Sequence, residues 1–176
     1  MKKKLPVFKS IRSLTVAAML TALSVIIGIF CKNFLNFGGG LFRITFENLP
    51  VILSGILFGP LVGGACGIAT DLISYLLSGQ IYPPNLLVTA GAFLVGFLSG
   101  AVWRIPLRRT TPRILLSVFV AHLVGSMVVK SFGLYQFYGI AVLWRLPLYL
   151  VIIAVEALLL CLLFRRKAFQ RLIKNI

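Results

Sequence analysis

The chain has 176 residues, of which 60% are hydrophobic and only 12% charged, and its mean hydropathy is +1.04. That composition excludes an ordinary soluble domain and fits a polytopic α-helical membrane protein. The formal charge of +15 comes from eighteen Lys and Arg against three acids. The basic residues stand at the ends of hydrophobic segments, which disfavours nucleic-acid binding, since that needs a basic groove or patch.

Lys2, Lys3 and Lys4 ahead of an apolar run imitate a secretory signal. No small-x-small cleavage site follows, and Phe30 precedes Cys31 where a lipoprotein signal would want a small residue, so the first helix is expected to stay. Six hydrophobic segments are predicted, at about 11–31, 44–58, 60–79, 85–103, 112–135 and 140–164, forming one membrane domain over 1–176. A helix of about 20 residues crosses the hydrocarbon core of about 30 Å, and five segments are long enough. The second is short and carries Pro50, so it is expected to kink or to start late, with Asn48 as its cap. Phe58-Gly59-Pro60 predicts a tight turn, and Phe37-Gly38-Gly39-Gly40, Tyr82-Pro83-Pro84-Asn85 and Thr111-Pro112 mark loops.

With both termini inside, fourteen of the eighteen cations lie on the inner side, leaving Lys32, Arg43, Lys130 and Arg145 for the outer. The positive-inside rule then predicts a compact bundle of six transmembrane helices, N-in and C-in, in the cell membrane. Small residues support close packing: Gly63, Gly64 and Gly67 in segment three, Gly96 and Gly100 in segment four, Ala18 and Ala22 in segment one.

All three acids, Glu47, Asp71 and Glu156, fall inside hydrophobic segments. A carboxylate near the bilayer centre costs about 2.5–3.5 kcal/mol even on lenient scales, so it is kept for a partner, an ion or a ligand. Arg43, Lys130 and Arg145 fall at similar depth toward the outer face, and Asp71 lies slightly past the midplane on the same side. Together they outline a mixed-charge cavity open outward, with cations at its mouth and carboxylates deeper. Glu47 is expected to pair with Arg43 within one helix, and Glu156 with His122.

There is no Gly-x-x-x-x-Gly-Lys-Ser/Thr motif, no His-Glu-x-x-His and no Cys-x-x-Cys, and His122 is the single histidine. No cofactor or metal site is expected, and no enzymatic activity; ATP hydrolysis would belong to a partner. Cys31, Cys66 and Cys161 are scattered in apolar runs and read as small core residues.

Residues 43–60, Arg-Ile-Thr-Phe-Glu-Asn-Leu-Pro-Val-Ile-Leu-Ser-Gly-Ile-Leu-Phe-Gly-Pro, are followed by Gly63-Gly64, Gly67 and Asp71. With Tyr82-Pro83-Pro84-Asn85 and the glycine-rich fourth segment, they resemble the substrate-binding (S) component of an energy-coupling-factor (ECF) vitamin transporter, folate subfamily. The likeness covers about 12–165. It implies a high-affinity vitamin-capturing subunit that works with a transmembrane coupling subunit and two cytoplasmic ATPases. It also implies that an Ala-x-x-x-Ala face on the first helix, here Ala18 and Ala22, meets the coupling subunit.

Folate has a flat pterin with a donor edge and a tail with two carboxylates, so its pocket needs an acceptor, aromatic walls and cations. Asp71 is the candidate for the pterin edge, its alternative being an ion pair with Lys130 or Arg145. Arg43, Lys130 and Arg145 are candidates for the carboxylates, with interfacial snorkelling as the bland reading. Tyr75, Tyr82, Tyr135 and Trp144 are aromatic walls or members of an interfacial belt. Asn85 binds ligand or caps the fourth helix. Two other readings stay open: an S component for another vitamin or modified base, and a self-sufficient ion-coupled carrier using Asp71 and Glu156 as relays. The carrier would be expected to show inverted repeats, and none is evident.

Overall fold

The computed structural model describes residues 11–37, 42–78, 85–167 and 169–171. Helix α1, Ile11–Phe34, is long enough to cross a bilayer and buries one face: Ser13, Ala17, Thr21, Ser24, Val25, Gly28 and Cys31. Its other face exposes Ala18, Met19, Ala22 and Ile26, a surface suited to lipid or to another membrane protein. Two short strands follow, β1 (Asn36–Phe37) and β2 (Phe42–Arg43), paired antiparallel with Asn36 opposite Arg43.

Helix α2, Asn48–Phe58, has eleven residues, nine of them buried. At 1.5 Å per residue it is about 16 Å long, roughly half the hydrocarbon core, so it serves as an internal strut. It starts four residues later than the apolar run that predicts it. Glu47 takes the N-cap place, with helical backbone and no side-chain capping bond. Asn48 is therefore the first residue of the helix and not its cap. The expected pairing of Arg43 and Glu47 within one helix also fails, because Arg43 is in β2 and Glu47 precedes α2.

Gly59 connects α2 to α3 (Pro60–Leu77) at φ 99° and ψ 174°, a backbone state that L side chains rarely adopt. Pro60 then opens α3 at a position where its missing N–H costs nothing. Helix α4 runs Leu86–Trp103. Helix α5, Thr110–Ala121, passes without a break into a wide-turn π-helical stretch, His122–Lys130, and on into α6, Ser131–Tyr138. Gly139, at φ 56°, ends α6, a 3₁₀ turn spans Gly139–Trp144, and α7 is Arg145–Arg165. The fifth segment is thus longer than its hydrophobic pattern predicts, and the last helix begins later.

Among the described residues, five helical stretches are long and apolar enough to span a membrane: Ile11–Phe34, Pro60–Leu77, Leu86–Trp103, Thr110–Gln136 and Val142–Arg165. The main core forms around α2, where Ile52 and Ile56 meet Val95 of α4, Ile114 and Val118 of α5, and Leu160 of α7. A smaller cluster joins Ala17 of α1 to Phe58, Val62 and Cys66. Trp103 meets Phe164 at a tilt, and Phe164 meets Phe169 edge to face, at the end that holds Arg104 and Arg113, and the Arg113 guanidinium lies 4.6 Å from the Trp103 ring centre. The polar contacts gather at the opposite end.

Candidate ligand-binding site

That opposite end is built from the C-terminal halves of α1 and α3, the N-termini of α2 and α4, and the π-helical stretch. On α1, the Ser24 hydroxyl donates to the Glu47 carbonyl. One turn on, Gly28 leaves room for the Glu47 side chain: a Cβ there would stand 2.7 Å from Oε2. The Lys32 ammonium donates to Ser78 Oγ at 2.8 Å, tying α1 to the last turn of α3.

Across the bundle, Lys130 reaches the N-terminus of α2. Its Nζ donates to Asn48 Oδ1 at 3.3 Å and stands 4.0 Å from Glu47 Oε1. It passes against Gly91 of α4, where a Cβ would meet Lys130 Cγ at 2.5 Å. Lys130 is only 8% exposed. An ammonium so enclosed is not snorkelling to an interface; it is held by a carboxylate and an amide, as a desolvated charge requires.

Asp71, on α3 and partly buried, accepts a hydrogen bond of 2.6 Å from the Thr89 hydroxyl of α4. Of its two alternative partners, Lys130 and Arg145, Lys130 instead meets Glu47 and Asn48. A carboxylate offers about four acceptor sites on two oxygens, so Thr89 orients Asp71 without exhausting it. Asn85 does two things at once. Its Oδ1 accepts from Leu87 N at 2.9 Å, capping α4, while its Nδ2 donates to the Gly133 carbonyl at 2.7 Å and so docks α6.

Toward the core, His122 Nε2 and Glu156 Oε2 are 2.7 Å apart, with both side chains fully buried. The expected pair is present, and it joins the π-helical stretch to α7. The π-helix thus carries two enclosed ionisable groups, His122 at its start and Lys130 at its end, in keeping with the tendency of π-turns to occur at functional positions.

The remaining candidates are placed less centrally. Tyr75 is half-buried, one turn beyond Asp71, and Arg145, half-buried, is the first residue of α7. Tyr135 and Trp144 are exposed. Arg43 is placed by its backbone in β2, and Tyr82 lies outside the described residues. Sequence reasoning missed Thr89, Asn48 and Ser24 as members of this polar belt, and missed the Glu47–Lys130 pairing. On α1, Ala18 and Ala22 are both exposed and share a face turned away from the bundle.

The family model for the ECF transporter substrate-specific component matches residues 12–173. A curated relative, the folate transporter FolT of Clostridium novyi, is 28% identical over 123 residues, covering 69% of each chain. An uncharacterised MG098 homologue of Mycoplasma pneumoniae is 28% identical over 141 residues, which are 74% of this chain but only 29% of that longer protein. Among solved structures, that of FolT bound with folic acid superposes with a TM-score of 0.66 at 21% identity, covering 85% of this chain and 90% of the other. This last likeness establishes the shared fold. A match along nearly the whole chain, on a bundle of apolar helices, places the protein among multi-pass membrane proteins, and the chain belongs to the substrate-specific components of ECF transporters.

Proposed function

We propose that this chain captures a folate-type vitamin outside the cell and delivers it inward as the binding subunit of an ATP-driven ECF importer. The observation that carries the reading is the family match over residues 12–173, joined to a polar belt at the end of the bundle remote from most of the cations. The FolT relative supports folate as the ligand.

In this reading α2 is the short sixth member of a six-helix bundle, both termini are cytoplasmic, and the belt faces outward. The charge distribution supports that orientation, with fourteen of eighteen cations on the inner side. Asp71, oriented by Thr89, accepts from the pterin edge. Lys130, Arg43 and Arg145 supply the cations for the tail carboxylates, Tyr75, Tyr82, Tyr135 and Trp144 the aromatic surfaces, and Asn85 a polar contact at the rim. The exposed Ala18/Ala22 face of α1 meets the coupling subunit, where small residues let another helix approach closely. Two cytoplasmic ATPases supply the energy that this chain has no motif to harvest.

A self-sufficient carrier has less support, because Glu156, one of its two relay candidates, is closed against His122. Proteoliposome uptake of labelled folate separates the two readings. Uptake only with ATP and the added coupling and ATPase subunits is expected; uptake by this chain alone would establish the carrier.

A further inference from the structure

A groove of about 780 Å³ runs between α5 and α7, on the outer surface of the bundle and away from the polar belt. Its walls are Leu115 and Phe119 of α5 and Leu158 and Leu162 of α7, all exposed, and it ends at Thr111 and Arg165. Along α7 it extends from Ile153 to Arg165, twelve residue steps or about 18 Å at 1.5 Å per residue. That is roughly half of a hydrocarbon core of about 30 Å, the depth of one leaflet.

The geometry points to a seat for one acyl chain of an anionic phospholipid in this groove, with its phosphate at Arg165. Charge decides the occupant. Arg113, on the same turn of α5, is drawn over the Trp103 ring, which makes Arg165 the cation that lines the groove. Arg108, Arg109 and Arg166 are exposed at the same end of these helices. A second copy of the chain would bring the same cations against this rim and be repelled. A folate-like ligand would find almost no polar side chains along the groove to hold its carboxylates. An anionic headgroup is attracted to clustered Arg beside a hydrophobic span, and the cytoplasmic leaflet is where such lipids concentrate. Only the choice of leaflet rests on the orientation proposed above; the seat itself is independent of the transported ligand.

The test is native mass spectrometry of the full chain in detergent, titrated with dioleoyl phosphatidylglycerol or dioleoyl phosphatidylcholine. Retention of one phosphatidylglycerol per chain, at least fivefold preferred over phosphatidylcholine, is expected. Arg165→Gln should abolish the preference, and Ala154→Trp, which fills the groove from an exposed position, should reduce retention of both lipids. Circular dichroism checks that each variant is folded. Equal retention of the two lipids, a preference that survives Arg165→Gln, or retention unchanged in Ala154→Trp would overturn the proposal. So would an Ala154→Trp variant whose one defect is failure to assemble with the coupling subunit, since the groove would then belong to a protein.

Discussion

Replacing Gly96 with alanine tests the packing that holds α3 and α4 together. A Cβ at Gly96 would stand 2.0 Å from the carbonyl oxygen of Gly63 and 2.3 Å from its carbon. The relation is reciprocal, because a Cβ at Gly63 would meet the Gly96 oxygen at 2.4 Å and Gly55 Cα at 2.5 Å. The obstacle is backbone on both sides, so no rotamer relieves it. The two helices must part by about 1 Å before the methyl reaches an admissible distance, and a gap of that size forfeits a quarter to a half of each local dispersion contact. Overpacking typically costs about 1–3 kcal/mol, and a rigid obstacle puts this site at the top of the range or beyond it. Alanine returns about 1 kcal/mol through helix propensity. A net loss of about 2 kcal/mol or more lowers the unfolding midpoint by about 4–8 °C for a chain of this size. Gly64→Ala is the matched control. Its Cβ would meet the Phe93 ring at 2.4 Å, and a side chain can turn away where a backbone cannot, so the same propensity gain leaves that variant near the parent. Thermal unfolding of both variants in detergent is the assay. A Gly96→Ala midpoint within about 1 °C of the parent, or below-parent stability confined to Gly64→Ala, would refute the backbone-contact argument.

Other expectations follow from the polar belt and the buried pair. Asp71→Asn and Arg145→Ala should each weaken vitamin binding at least tenfold while leaving the purified protein folded; unchanged affinity in both, measured by calorimetry, would remove the proposed pocket. His122→Ala leaves Glu156 buried without its partner, which should cost about 3–5 kcal/mol if the charge is retained, whereas Glu156→Gln keeps a hydrogen-bonding partner and should unfold at a distinctly higher temperature than His122→Ala. The reverse order would mean that the pair does not stabilise the bundle. Ala18→Trp should preserve binding and block assembly with the coupling subunit, read by co-purification; normal assembly would move that interface elsewhere.

The bundle was legible where hydrophobic periodicity and breakers agree. Pro60 after Gly59 marks the start of α3, and Asn85 the start of α4, within a residue of where the structure puts them. The errors share a cause. Apolar residues continue upstream of α2 from Ile44, and hydropathy alone cannot distinguish a loop buried against a bundle from the helix it leads into. That hid the true place of Arg43 in β2 and made Glu47 look like its helical neighbour. The π-helical stretch was equally hidden, because a wide turn leaves no compositional mark, yet it carries His122 and Lys130. Single carboxylates in apolar segments announced that they needed partners. For Glu156 one histidine left little choice, but Thr89 for Asp71 and Lys130 for Glu47 depend on which helices touch, a tertiary fact that no local pattern encodes.

The most direct measurement is folate binding by this purified chain alone, followed by quenching of Trp103 and Trp144 and checked by calorimetry. Saturable, tight binding at one site per chain, lost in Asp71→Asn, is the predicted result. A folded sample that binds no folate, or that binds it equally well without the Asp71 carboxylate, would contradict the account.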